Sequence, residues 1–446
     1  MNNPRLQATV ALFVLGLSHA PIAAQTRLFV AMGFAELQGC GPDGCPTGRM
    51  IELDVDNVRV LADTPVPLAT RNSWRQLQIT ADARYLLWTG NDGSSVGGMA
   101  IFDTLSRTAA VAAPYSSRLL THPRDVKAFI EDGFNARVVV ADHSGTRLLV
   151  SGCGSLDGMS EDGSWLLAGC AGNLQIIDAT TGSVKNSIQG LAASPLGFLV
   201  FSADGTEVYR ADHLVATPGG GGTRYTRYAV DTGSALDTYV DSDQATMAVG
   251  YPVMSLHRDP LTNRLFRGRL GGIRVMDASP LAPVATLPGP AANSWPFLAF
   301  DPDGRRVFVA WETLLGEVNG QPQWRTTLQS IHADSLQLQY EVSVDASTKV
   351  RSIALVPRPP QPTGLAVTVT GRLVSLQWVA GAGPATTGFV VEAGSAPGLS
   401  DLSQVSVVGT TLDVDNVPPG TYHVRVRPTN ALVSGNATAD IVVTVQ

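Results

Sequence analysis

Along most of the chain, apolar and polar positions alternate in short runs, and each run ends in a cluster of Asp, Gly, Thr or Ser. A period of two puts one strand face in a core and the other toward solvent, and the clusters between runs are turns. One composite unit recurs. Two or three apolar residues lead into an aspartate and a small turn, as in Ile51-Glu52-Leu53-Asp54, Ala100-Ile101-Phe102-Asp103, Val139-Val140-Ala141-Asp142 and Gln175-Ile176-Ile177-Asp178. Tyr228-Ala229-Val230-Asp231, Arg274-Val275-Met276-Asp277 and Ile331-His332-Ala333-Asp334 continue it, so that seven aspartates stand at gaps of 36 to 57 residues. Most are preceded by an apolar strand, an Asp/Gly turn and a second apolar strand, as at Phe201-Ser-Ala-Asp-Gly-Thr-Glu-Val-Tyr209.

Short alternating strands joined by such turns form four-stranded antiparallel meanders. A single meander cannot bury both faces, so neighbours stack around an axis. The unit resembles the blades of seven-bladed WD40-like and YVTN-type β-propellers of secreted bacterial proteins, a likeness that covers roughly residues 26–357. Arg27-Leu-Phe-Val-Ala31 reads as the second strand of blade 1, whose inner strand is missing at that point. The orphan strand 350–357 would supply it and close the ring. About 330 residues over seven blades is about 47 each, a propeller period.

Pro357-Arg-Pro-Pro-Gln-Pro362 reads as a stiff linker over 358–362. Residues 363–446 resemble a fibronectin type III domain, through Leu376-Gln-Trp378, Gly388-Phe-Val-Val-Glu-Ala393 and Pro418-Pro-Gly-Thr-Tyr-His-Val-Arg-Val-Arg427. The resemblance makes Trp378 the core tryptophan and Tyr422 the corner tyrosine. The expected fold class is all-β: a seven-bladed propeller followed by a fibronectin type III sandwich.

At the N-terminus Arg5 precedes an apolar run, Ala8–Leu17, and a small-residue exit. Residues 1–24 thus read as a secretory signal peptide, too short to span a bilayer. Four cysteines fit an oxidising compartment. Cys40 and Cys45 bracket a turn, and Cys153 and Cys170 lie 17 apart. Two local disulfides are expected, with metal ligation the competing reading. The expected location is secreted or periplasmic.

Across 446 residues, 38 acidic and 31 basic side chains give a net charge of −7. That argues against a nucleic-acid coat, and no later stretch suggests membrane insertion. Only Lys127, Lys185 and Lys349 are lysines.

Candidate chemistry is sparse. Gly93-Ser94-Ser95-Val96-Gly97 matches a nucleophile elbow but sits between strands, where that motif needs a following helix. Gly219–Gly222 lacks the Lys-Ser/Thr of a phosphate loop and reads as a hairpin tip. Asp237, Asp241 and Asp243 lack the glycine and terminal glutamate of a calcium loop. Among the inner strands only Asp157 offers a mid-strand acid, with Gln76 and Gln78 as further oxygen donors. No metal site and no cofactor are expected.

Aligning the inner strands puts Trp74, Ser116, Gly154, Leu196, Tyr251, Trp295 and Arg351 at one level of the channel mouth. Trp74, Tyr251, Trp295 and Arg351 could stack on sugar rings or grip a peptide; the two tryptophans could equally pack between blades. The expected function is a secreted, non-catalytic binding or scaffold protein. It would recognise an extracellular protein or polysaccharide at that mouth. The alternative is an exported propeller enzyme, a lactonase-like hydrolase or an amine-dehydrogenase-like subunit.

Overall fold

The computed structural model describes residues 26–33, 48–66, 77–91, 97–114, 116–132, 135–189, 198–217, 220–241, 256–259, 261–301, 305–318, 321–345, 349–384 and 386–446. The expected signal peptide, Cys40 and Cys45 lie outside them. Two compact units form: one comprises Arg27–Thr80 and Tyr85–Leu355, and the other comprises Val356–Gln446 with Met1–Thr26 and Ala81–Arg84.

The first unit holds seven four-stranded antiparallel sheets among the described residues. Their inner strands are Lys349–Leu355, Leu77–Ile79, Ser116–Thr121, Cys153–Met159, Phe198–Phe201, Leu256–Asp259 and Ser294–Asp301, for blades 1 to 7 in that order. Each touches the next, and Ser294–Asp301 returns to Lys349–Leu355. The ring is a β-propeller. Blade 1 mixes the two ends of the ring: Lys349–Leu355 pairs antiparallel with Arg27–Gly33, matching Leu28 to Leu355 and Val30 to Ile353.

Alternation along each strand sends apolar side chains to both faces of a blade, so cores lie between blades. Leu28, Val30 and Ile51 of blade 1 pack with Phe308, Ala310 and Leu328 of blade 7. Tyr209 and Tyr225 of blade 5 pack with Leu256, Leu265 and Met276 of blade 6. Phe29 and Phe102 meet edge-on between blades 1 and 2, ring centroids 6.4 Å apart.

The repeat aspartates close turns after the third strands. Asp103 accepts from the amides of Leu105 and Ser106, and Asp178 from those of Thr180 and Thr181. Hydrogen bonds from Ser144 and Thr181 hold the Asp142 and Asp178 carboxyls below the usual carboxylate range. Two repeats depart from the sequence alignment. Ala229, not Asp231, pairs with the first residue of its second strand, as Asp178 pairs with Trp165. In blade 7 that place belongs to His332, whose Nδ1 accepts from the amides of Asp334 and Ser335 at 3.3 Å. An imidazole acceptor replaces the carboxylate, which leaves Asp334 to bind Arg305.

The second unit contains a three-stranded sheet (Thr363–Thr370, Leu373–Val379, Thr411–Val414) and a four-stranded one (Ser403–Val407, Gly388–Gly394, Gly420–Thr429, Ile441–Val445). Val374, Leu376 and Trp378 of the first pack on Phe389, Val391, Val424 and Val426 of the second, as in a sandwich. On the other face of the larger sheet Glu392 is wholly buried and accepts from Arg427 Nε at 2.7 Å and from Arg425.

Two stability changes follow. Ile353→Ala hollows the core at the closing strand and should lower propeller stability by about 2–4 kcal/mol in urea unfolding. Glu392→Ala strands two buried guanidinium groups and should cost the sandwich about 3–5 kcal/mol; a loss under 1 kcal/mol would show the cluster to be solvated.

Candidate functional site

Three inner strands break their pairing with the second strand, and the break leaves a charged residue out of register in each. In blade 1 the ladder passes from Ser352 to Val350 and skips Arg351. In blade 3 it passes from Leu119 to Ser116, so that Ser117 and Arg118 share one step. In blade 4 it skips Asp157 between Leu156 and Gly158, and Gly154 between Cys153 and Ser155. A bulge rotates its extra residue out of the alternation and re-aims the side chain. The inner strands of blades 2, 5, 6 and 7 keep register along their described lengths.

Two of these residues meet. Arg118 Nη1 donates to Asp157 Oδ1 at 2.5 Å, and Ser155 Oγ donates to Asp157 Oδ2 at 2.8 Å. The Asp157 side chain is 2% exposed and Arg118 18%. Burial pushes the Asp157 carboxyl above its ordinary value, against the opposing pull of Arg118, Ser155 and the more distant Arg210. Ser155 Oγ also accepts from the Gly169 amide at 3.1 Å, and buried Glu131 of blade 3 accepts from the Leu156 amide at 3.0 Å. Neighbouring joints are polar as well: Thr121 donates to Gln78 Oε1 at 3.3 Å, and the Leu77 amide to Ser352 Oγ at 3.2 Å. At the opposite end of the inner strands, Arg258 of blade 6 donates to the Phe201 carbonyl of blade 5 at 2.9 Å and to Glu161 of blade 4. This arginine is almost wholly buried and ties three blades together.

Of the residues expected at the mouth, Trp74, Leu196 and Tyr251 lie outside the described residues. Arg351 is placed by its backbone on the blade 1 bulge, Ser116 begins the blade 3 inner strand, and Gly154 lies exposed on a blade 4 bulge. Trp295 stands opposite Glu312 and is 7% exposed. Its neighbours build the loop before it. Ser294 Oγ lies 2.7 Å from Thr313 Oγ1 and accepts from the Ala291 amide, while Asn293 Nδ2 donates to the Leu314 carbonyl at 2.8 Å.

Cys153 and Cys170 form a disulfide between the inner and second strands of blade 4. Gly220–Gly222 open the third strand of blade 5 at the end of its hairpin, where Gly220 pairs with Thr217; Gly219 lies outside the described residues. Asp237 accepts from the Leu281 amide at 2.8 Å and Asp241 pairs with Arg274 at 2.8 Å, so both bind blade 5 to blade 6. Residues 92–96 and Asp243 are outside the described set. Among the described residues no group of three or more His, Cys, Asp or Glu side chains could hold a metal ion. Sequence reasoning missed Arg118 and Glu131. Neither breaks the apolar pattern, and only the bulge brings Arg118 to Asp157.

No protein-family model matches the sequence, and no curated protein matches it. Solved structures similar to it include a putative 6-phosphogluconolactonase from Bacteroides fragilis (14% identity, 75% of this chain and 98% of that one, TM-score 0.48). Others are the periplasmic gluconolactonase PpgL from Pseudomonas aeruginosa (17%, 75% and 99%, TM-score 0.46) and TolB from Acinetobacter baumannii (15%, 75% and 67%, TM-score 0.41). At these scores they carry no argument about activity.

The buried acid generates a pH signature. Asp157 has a folded-state pKa above its ordinary 3.8, so its contribution is full below that value and lost as pH rises through the raised one. Asp162 has the opposite sign. Burial alone would raise it, but hydrogen bonds from Ser160 and Ser164 hold it at about 2, so its contribution is lost as pH falls from 3.8 toward about 2. Asp157→Asn should therefore flatten the stability profile above pH 3.8 and leave the acid limb in place. Arg118→Ala should destabilise at pH 7 by about 3 kcal/mol, partly recovered in the double variant. Unfolding free energies across the pH range check both.

Proposed function

We propose that this chain is an exported, non-catalytic binding or scaffold protein: a seven-bladed propeller whose mouth takes a protein or glycan, followed by a fibronectin type III spacer. One observation carries the reading. The acids on the described inner strands are already committed to the fold. Asp157 is held by Arg118 and Ser155, Asp259 by Arg305 and the Leu261 amide, and Asp301 by Arg306. A hydrolytic base or a hard cation needs carboxylate oxygens free to face the ligand. Here the same oxygens neutralise arginines and amides between strands. What remains for a ligand on the described inner strands is a polar wall, and the sequence offers Trp74 and Tyr251 as aromatic candidates at the mouth.

The spacer assignment is supported by the strand order of the two sheets, by Trp378 in the core edge-on to Phe389 at 5.5 Å, and by the Tyr422 hydroxyl donating to the Pro418 carbonyl at 2.8 Å. That last bond is the local tie expected of a tyrosine corner. Export is supported by the leader read at 1–24 and by the Cys153–Cys170 bridge.

The test is a thermal-shift screen of the mature protein against glycan fragments and peptides in EDTA. A ligand should raise the melting temperature, and Trp74→Ala or Tyr251→Ala should weaken it about tenfold, the loss of one stacking contact. Stabilisation by calcium alone, reversed by EDTA, or turnover of a lactone would replace this reading with the enzyme.

A further inference from the structure

One place on the inner strands differs in blade 6 from its counterparts. The residue opposite the third position of the second strand is Ala354, Gln78, Leu120, Gly158, Val200 and Ala299 in blades 1, 2, 3, 4, 5 and 7. In blade 6 it is His257, opposite Phe266. No other blade puts an ionisable side chain there. Directly opposed residues of an antiparallel pair share a face. Phe266 packs with Leu298, Val307 and Val309 of blade 7 and meets Phe300 edge-on at 5.2 Å. His257 therefore stands on the blade 7 side of its strand, beside an apolar joint.

The charged groups on the packed elements are engaged elsewhere. On the same strand Arg258 turns to blade 5, and Asp259 shares the blade 7 side, where it accepts from Arg305 at 3.0 and 3.2 Å and from the Leu261 amide. On the second strand Arg264 stands opposite Asp259 and donates to the Asp334 carbonyl of blade 7. Arg267 donates to Thr223 of blade 5, and Arg269 lies beyond the stretch paired with the inner strand. Phe198–Phe201 of blade 5 carries no charge, and Asp301 of blade 7 is bound to Arg306, which reaches on to blade 1. His257 Nε2 is buried with no hydrogen-bond partner among the described residues, although the residue as a whole keeps some exposure. Protons have a way in, but a charged imidazole carries N–H on both nitrogens, and the one at Nε2 meets no acceptor. Burial pushes the group down to about 4 from its ordinary 6.5.

We propose that the joint between blades 6 and 7 is an acid-sensitive latch of the ring, released when His257 takes up a proton. A charge at this place has no carboxylate to itself, and opening the joint lets water solvate it. The opened chain binds the proton first, so the joint holds fully above pH 6.5 and loosens as pH falls toward about 4. Within that window the neighbouring tie of Asp259 to Arg305 stays charged: burial would raise the Asp259 carboxyl, but hydrogen bonds from Thr262 and Arg305 hold it below its ordinary value. The latch does not depend on what the mouth binds.

Native-state amide exchange of the mature protein, corrected for its intrinsic pH dependence, tests this. The opening constant at Leu256–Asp259 and Ser294–Asp301 should be about twentyfold larger at pH 5 than at pH 7, while Leu77–Ile79 and Ser116–Thr121 do not follow. His257→Leu, which copies the apolar residue of blade 3, should abolish that rise and keep the melting temperature at pH 7. His257→Gln keeps a polar side chain without a titration and should abolish the rise too. Two other groups titrate nearby in pH: Asp157 of blade 4 with the opposite sign, and His122 of blade 3, which burial also holds below 6.5. Local exchange separates them, and His122→Gln should leave the blade 6 response intact. The proposal falls if both His257 variants keep the acid response, or if His122→Gln removes it. It also falls if the His257 ring of the intact protein titrates near 6.5 by NMR, or if all seven inner strands open together.

Discussion

Everything in the propeller depends on one pairing between residues more than three hundred positions apart, Arg27–Gly33 against Lys349–Leu355. A four-stranded meander has two apolar faces and covers neither by itself, so each blade is stable only between two neighbours. An open row of blades would leave a face bare at each end. The closing strand removes both ends at once, and it brings Ile353 and Val350 into the cluster that blade 7 shares with blade 1. The joint is reinforced beside the sheet, where Arg306 of blade 7 reaches Asp56 of blade 1 at 2.8 Å and Tyr340 donates to the Val55 carbonyl at 3.0 Å.

Arginine recurs at several of the joints between blades. Arg305 of blade 7 grips Asp259 of blade 6 and Asp334 of its own blade, and Glu52 of blade 1 sits between Arg27 and Arg107. Arg147 reaches the Thr180 carbonyl of the next blade. A guanidinium spreads five donors over a rigid plane and can serve two partners at once, which a lysine ammonium does with less geometric control. The near-absence of lysine therefore suits the fold, whatever its cause. Exposed members of this set, such as Arg107, contribute little individually, because solvent screens them. Among the buried ones, Arg258 would be costly to leave unpaired.

The bulges place the polar joint of blades 3 and 4. A regular inner strand points alternate residues into the two inter-blade cores, where a charge must be paired, as Arg258, Asp259 and Asp301 are. One inserted residue shifts that alternation: through it blades 3 and 4 bring Arg118 and Asp157 together, and the blade 1 ladder skips Arg351. The joint of blades 3 and 4 is thereby polar near the mouth, close to the Cys153–Cys170 bridge.

The repeat, the blade strands and the closing role of the strand read at 350–357, which forms as Lys349–Leu355, were legible in the sequence because a period of two and an Asp-Gly turn are local properties. So were the core place of Trp378 and the 153–170 cysteine pair. Local pattern misassigned Asp231 and Asp334, since register is set by hydrogen bonds to the preceding strand and His332 caps a turn as well as a carboxylate. It singled out Asp157 as the one mid-strand acid of the inner strands but gave it no partner. Only the packed ring reveals that a bulge in blade 3 delivers Arg118 to it. It likewise could not tell that Trp295 is buried. Those outcomes depend on which strand lies beside which, and residues far apart in sequence decide that only when the ring closes.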